Sequence, residues 1–351
     1  MLKFTGFDKM ENPCNFGLVA SNFVSLKVLF SIMPSNRRQG CGRDNVKKTN
    51  LYWPVYKNLE KEVLELSYSI HFCDKQVGVH SVKIAELLLR CAVEIESISK
   101  ALFKAEGGDI NPKDDAGQNR HLKYDFDYLQ LLDTKWTLAK KRIVLAATSM
   151  YFEKDENRIF LPLKNANKGE ASWQKAYQAV KHSRVDELER ATIRSLVQAM
   201  AALYLLNAYY RDEVYQIGTV GTNNFDSSLQ SDLFSVEYEL ITNTHYKGNE
   251  LESHPNVTYV GVLTQEGQKS AQDYATEMNR KIRERVIEEI TRNPMNILEK
   301  LGANMNPDDL VQRMIVDNTI NMTNIASIGI QSYLGAKCEA VLNKGQKIAT
   351  I

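Results

Sequence analysis

Residues 199–206 read Ala-Met-Ala-Ala-Leu-Tyr-Leu-Leu and carry no charge on any side of a helix. They lie within a helical stretch, 191–211, which should therefore be buried all round rather than along one stripe. The run is too short, and too tightly flanked by charge, to span a bilayer, which wants about 20 apolar residues. A helix of this kind needs packing partners on every side, and the rest of the chain has to supply them.

The clearest partner is 82–104. Ile84, Leu87, Leu88, Cys91, Ile95, Ile98 and Leu102 recur there at steps of three and four, and Ser81 stands where an N-cap belongs. Lys83, Glu86, Arg90, Glu94 and Ser97 take the opposite face, with Glu86 and Arg90 as a supportive i,i+4 pair. Glu96 breaks the pattern, being in line with Leu89, Ala92, Ser99 and Phe103. It is expected to face packing, where a carboxylate needs a cation, hydrogen-bond donors or a proton.

Further helices are predicted at 56–70, 124–138 and 270–293, the last ended by Pro294. Another opens at Asn306-Pro307-Asp308-Asp309 and runs to about residue 326, with proline in its first turn and acids near the dipole. Short β-like runs at 142–146 and 158–163 read as a small hairpin inserted between helices. Runs at 234–240 and 257–263 read as a second hairpin with a long polar tip. Residues 218–232, rich in Gly, Thr, Asn and Ser, form the best internal boundary. The expected organisation is a basic, poorly ordered extension over 1–48, a helical domain over 49–216, and a smaller α+β region over 231–351. Translation from a start codon upstream of the true one is a further hypothesis for this extension.

The 351 residues are ample to bury a core, and 43% hydrophobic with 25% charged content is ordinary for a soluble globular protein. A formal net charge of +1 lacks the basic excess of a dedicated nucleic-acid binder. Five scattered cysteines, with no C-x-x-C pair, argue against a disulfide framework or a zinc site and suit a reducing cytoplasm. The apolar run at 16–33 has Lys27 in its middle and Asp8 and Glu11 before it, a poor match to a signal peptide or membrane anchor. No cofactor, metal or membrane partner is expected.

Chemistry centres on 173–184. Trp173, Ala176, Tyr177 and Val180 have the spacing of a helix docked on the core, and Lys175 and His182, seven apart, share a face. Lys175, Lys181 and Arg184 suit a phosphodiester, and His182 suits proton transfer near neutral pH. Metal-free RNA cleavage needs little more: a group to take the 2′-hydroxyl proton and cations for the charged transition state. A structural alternative has Lys181, His182 or Arg184 neutralising Glu96 where the helices meet. Of the other histidines, His71 and His80 sit near Cys73, but a fourth metal ligand is not evident. Phosphate loops, dinucleotide fingerprints, nucleophile elbows and H-E-x-x-H motifs are absent from the sequence.

The string Trp-x-x-Ala-Tyr-x-x-Val-Lys-His-x-Arg (173–184), followed by an Ala- and Leu-rich helix and preceded by Val-Glu-Ile-Glu-Ser-Ile-Ser-Lys (93–100), resembles a group of bacterial proteins. These are similar in turn to the HEPN superfamily of α-helical bundles in toxin–antitoxin and phage-defence systems. The resemblance covers about residues 52–215. It implies a mainly α, HEPN-like helical bundle carrying the small β insertion, with the α+β region following. It also implies a homodimer, a cognate antitoxin or defence partner, and metal-independent ribonuclease activity through an Arg-x(4–6)-His motif. His182 matches the motif's His, but no Arg precedes a His at that spacing. Lys175 stands seven residues before His182 and lacks arginine's planar bidentate grip. Lys75 before His80 and Lys247 before His254 fit the same loosened spacing. Two functions follow: a non-catalytic or weakly catalytic binding module of a bacterial stress or phage-defence system, or a metal-independent endoribonuclease. In the second, His182 and Arg184 act catalytically while Lys175, Lys181 and Glu96 bind or position.

Overall fold

The all-round apolar helix is α7, Ile193–Arg211. The computed structural model describes residues 50–219, 222, 224–240, 246–247, 250–251, 253–292, 336–346 and 348–349. The expected extension over 1–48 and the expected helix over 306–326 lie outside them. Every residue of α7 from Ala199 to Tyr209 is buried. Thr192 caps its start: Oγ1 accepts from the Ser195 amide at 3.2 Å, and Ser195 Oγ accepts from the Thr192 amide at 2.8 Å. The loop before α2 satisfies two more amides of that first turn, Ile193 N donating to Val79 O and Arg194 N to Val77 O. Asp212, left-handed at φ 47°, ends the helix. The Thr192→Ala variant should lose about 1 kcal/mol. A urea titration checks this, as a lowered midpoint with an unchanged slope.

Three helices wrap α7: α1, Tyr52–Ser69; α2, Val82–Ala105; and α5, Ser172–His182. The α2 stripe is buried as its spacing predicts, from Ile84 to Leu102, and Ser81 Oγ accepts from the Ile84 amide at 3.2 Å. The predicted helix at 124–138 is a single turn of π-helix, Tyr124–Leu129, running into α3, Gln130–Trp136. Arg120 enters it through a bidentate pair with Asp127, at 2.7 and 2.6 Å. The fold is mixed but helix-rich.

The strands correct two expectations. Strand β1, Ile143–Leu145, does pair antiparallel with β2, Ile159–Phe160, which follows the one-turn helix α4, Asp155–Arg158. After the short helix α6, Arg184–Glu187, and strand β3, Tyr215–Thr219, comes β4, Phe234–Val236, and β4 completes that small sheet, with Ile143 opposite Val236. The alternation across 234–240 therefore covers two strands in two sheets. Strand β5, Tyr238–Leu240, pairs with β8, Tyr259–Leu263, in parallel, so these runs are not the two arms of a hairpin. Between them lie β6, Tyr246–Lys247, and β7, Glu250–Leu251. Helix α8, Gln265–Arg292, follows β8; strand β9 is Lys337–Leu342 and β10 is Ile348–Ala349. The larger sheet has the order β3-β9-β8-β5, while β10, β7 and β6 form a third. The β2-β1-β4 sheet and the β3-β9-β8-β5 sheet each combine strands that precede residue 220 with strands that follow residue 233.

That intervening stretch is fastened to the helices. Glu60, on the buried face of α1 with Tyr56, Leu59 and Val63, is 1% exposed. Its Oε1 accepts from Tyr56 Oη at 2.9 Å, Ser231 Oγ at 2.5 Å, and the amides of Asp232 and Leu233 at 3.0 and 3.1 Å. The Lys57 ammonium lies against Oε2 as an ion pair, and also donates to Gln230 O at 2.9 Å and Asp232 Oδ2 at 2.7 Å. Tyr204 Oη donates to Ser228 O at 2.9 Å, and Arg211 Nη1 to Leu229 O at 3.2 Å. Leu229 and Gln230 are left-handed, at φ 49° and 71°, which turns the chain so that two successive amides face the carboxylate.

Candidate functional site

Helix α5 carries the basic cluster and is docked by its N-terminal half. Trp173 is 2% exposed, and its Nε1 donates to Pro162 O at 2.8 Å. Gln174, also buried, accepts from the Ala171 amide at 3.1 Å and donates to Ala166 O at 3.1 Å, tying off the helix start. Ala176 and Val180 complete the buried face at the predicted spacing.

The same periodicity turns Lys175, Lys181, His182 and Arg184 outward, and all four are exposed. Lys181 rests over the Tyr177 ring at 5.3 Å, a cation–π contact. Among the described residues, no carboxylate lies within ion-pair distance of any of the four. The acids of the next turn are engaged locally: Ser183 Oγ donates to Asp186 Oδ2 at 2.5 Å, and Arg190 Nε to Glu187 Oε2 at 3.2 Å. Beside Arg184, Val185 is 94% exposed. The end of α5 is thus a solvent-facing knuckle of cations and one imidazole.

Glu96 does not join it, which corrects the expectation that this carboxylate faces packing within reach of Lys181, His182 or Arg184. It is exposed, while its in-line neighbours Ala92, Ser99 and Phe103 are buried. A long side chain at the margin of a buried arc can carry its charge into water. The half-buried carboxylate of α2 is instead Glu94, expected on the polar face, and burial pushes its pKa up against the pull of Arg90. Glu96 does share a neighbourhood with α5. Burial first, then the charges of Asp125 and Glu96, push the Tyr124 hydroxyl well above its ordinary value, and Tyr177 contributes in the same direction. The π-helical turn thus sits between the Glu96 face of α2 and the Tyr177 face of α5.

The remaining histidine cluster has a structural account. His71 stacks on Tyr151 at 4.8 Å, Cys73 bridges to Tyr151, and His80 bridges to Thr192. Among the described residues, no group of three or more His, Cys, Asp or Glu could hold a metal ion, and no helix is long and apolar enough to cross a membrane. A cleft of about 350 Å³ opens between Ile159–Leu161 and the start of α5, with Lys164, Glu156, Glu170 and Gln198 on its walls. None of Lys175, Lys181, His182, Arg184 or Glu96 lines it.

Two buried charges, Glu60 and Lys141, belong to no sequence motif. Glu60 had a legible signal, an acid on the same face as Tyr56, Leu59 and Val63. Lys141 had none, since Lys140-Lys141-Arg142 reads as a solvated basic run. Lys141 is 0% exposed, and burial alone pulls its pKa down to about 7.

No family model matches this chain, and neither a curated protein nor a solved structure matches it.

Proposed function

We propose that this protein is a binding module, with the knuckle at the end of α5 as its contact surface for an anionic partner. RNA is the partner that the HEPN resemblance favours. The observation that carries this reading is that Lys181 and Arg184, with Lys175 about two turns earlier on α5, face water, and among the described residues no carboxylate pairs with them. Exposed, unpaired cations bind a phosphate backbone chiefly by displacing its counterions, and need no fixed geometry to do so. Catalysis asks for more. A general base has to be oriented by a second group, and His182 is exposed with no hydrogen-bond partner among the described residues. The homodimer, the HEPN-like bundle and the bacterial stress or phage-defence setting belong to the same reading and are supported by the resemblance of 173–184 and 93–100.

Titrating a fluorescent structured RNA with the protein in EDTA tests this. The wild type should bind with an affinity that falls steeply with salt. The Lys181→Ala, Arg184→Ala double variant should bind at least about tenfold more weakly, and its log–log salt slope should shrink by about 2, roughly one per lost phosphate contact. Equal binding by variant and wild type would remove the knuckle as the contact surface. RNA cleavage in EDTA that disappears in His182→Ala would replace the binding reading with the endoribonuclease.

A further inference from the structure

Lys141 leads directly into β1 and lies where the helical body meets the β3-β9-β8-β5 sheet. Its Nζ donates to the Val257 carbonyl at 3.0 Å. That carbonyl also accepts from Asn343 Nδ2 at 3.0 Å, and Asn343 Nδ2 bonds His254 O at 3.0 Å. From α7, Tyr209 Oη donates to Asn343 O at 2.7 Å, and the Asn343 amide donates to Thr258 O at 2.8 Å. One knot of bonds therefore joins the start of β1, the lead-in to β8, the end of β9 and the last turns of α7. Val257, Thr258 and Asn343 are all buried with Lys141.

A charged ammonium has three donors to satisfy, and Val257 O is the acceptor bonded to this one. The charged groups on the surrounding elements are engaged with one another. Glu237, from the β4–β5 junction, pairs with Arg142 at 3.5 Å and accepts from Asn256 Nδ2 at 2.6 Å. Lys344, beyond β9, pairs with Asp212 at 2.8 Å and lies over the Trp136 ring at 5.7 Å. The His254 amide donates to Glu239 Oε2 at 3.0 Å. Among the described residues, no charge offsets the burial of Lys141.

We propose that Lys141 is a proton-operated latch between the helical body and the β3-β9-β8-β5 sheet. With Nζ neutral, the amine closes on the Val257 carbonyl. With Nζ protonated, the ammonium favours water, and the seam opens more readily to admit it. The sign follows from proton counting. The open seam exposes an ordinary lysine, so it binds more protons than the closed seam, and rising pH therefore favours closure. The response spans the interval from the depressed value of about 7 up to the ordinary lysine value near 10.4, at up to about tenfold in the opening constant per pH unit. Below that interval, opening should be independent of this group.

Hydrogen exchange of the full chain, corrected for intrinsic rates and followed peptide by peptide between pH 6 and 9, tests the proposal. In the wild type, peptides spanning Tyr259–Leu263 and Lys337–Leu342 should gain protection between pH 7 and 9, by about 10- to 100-fold. The Lys141→Met variant should be flat over the same range, whereas His254→Asn should keep the wild-type response. A flat wild type, a response that survives in Lys141→Met, or one lost in His254→Asn would overturn the proposal. Should Lys141→Met fail to fold, NMR titration of the Lys141 Cε carbon in the wild type decides instead. A midpoint near 7 supports the latch, and one at the ordinary lysine value overturns it.

Discussion

Glu60→Ala should destabilise the protein by about 3–5 kcal/mol, the usual cost of removing one partner from a buried charge network. The loss exceeds that of an ordinary hydrogen bond because Oε1 is shared among four donors, two of them backbone amides. Without the carboxylate, Asp232 N has no other acceptor among the described residues and Leu233 N keeps only Ser231 Oγ, at 3.2 Å; a buried orphan costs about 1–3 kcal/mol. Lys57 is affected less, since it is partly exposed and keeps Asp232 and the Gln230 carbonyl. Glu60→Gln retains one acceptor oxygen but not the charge facing Lys57, and should fall between the two. Urea melts of the three proteins check the order. A loss below about 1 kcal/mol in Glu60→Ala would show that the 226–233 segment holds its shape through Lys57, Tyr204 and Arg211 without the carboxylate.

Trp173→Ala should cost about 3–5 kcal/mol. The indole is among the largest fully buried side chains, and its removal also leaves Pro162 O without its donor. Trp173→Phe keeps most of the volume and loses the bond, so about 1–2 kcal/mol is expected. The pair also separates packing from chemistry at the knuckle. If α5 presents Lys181 and Arg184 only when docked, Trp173→Phe should keep RNA affinity near wild type under folding conditions. An RNA-binding loss there as large as in the Lys181→Ala, Arg184→Ala double variant would place the contact surface at the start of α5 instead.

The helical half of the structure was legible because its signal is local. In α2, α5 and α7 each side chain's face is fixed by the residues three and four away, so the stripes at Ile84, Trp173 and Ala199 predicted burial directly. Strand runs reveal alternation but not partners. Nothing near Phe234 announces that it pairs with Leu145, nor near Tyr238 that its neighbour is the parallel Tyr259. Charged residues on apolar faces were ambiguous for a different reason. Glu60 and Glu96 both fall in line with buried neighbours. One is met by donors from a segment far along the chain, while the other sits where its chain can reach water. Sequence alone does not place those donors. Lys141, in a run of three cations, offered no cue at all.

The central place of β9 bears on how the chain reaches this structure. Gln216 of β3 and Glu339 of β9 are paired although 123 residues apart along the chain. Closing a loop of that length costs about 2 kcal/mol more in chain entropy than closing the roughly 16-residue loop that brings β1 to β2. Helical packing of α2 against α7 and the β1–β2 pair can form from earlier residues alone, whereas β3 and β8 have no common neighbour until β9 arrives. During synthesis the helical half should therefore condense first. Through that delay, the edges of β3 and β8 that later flank β9 are bare, which makes this the interval in which the nascent chain is most exposed to strand-to-strand aggregation.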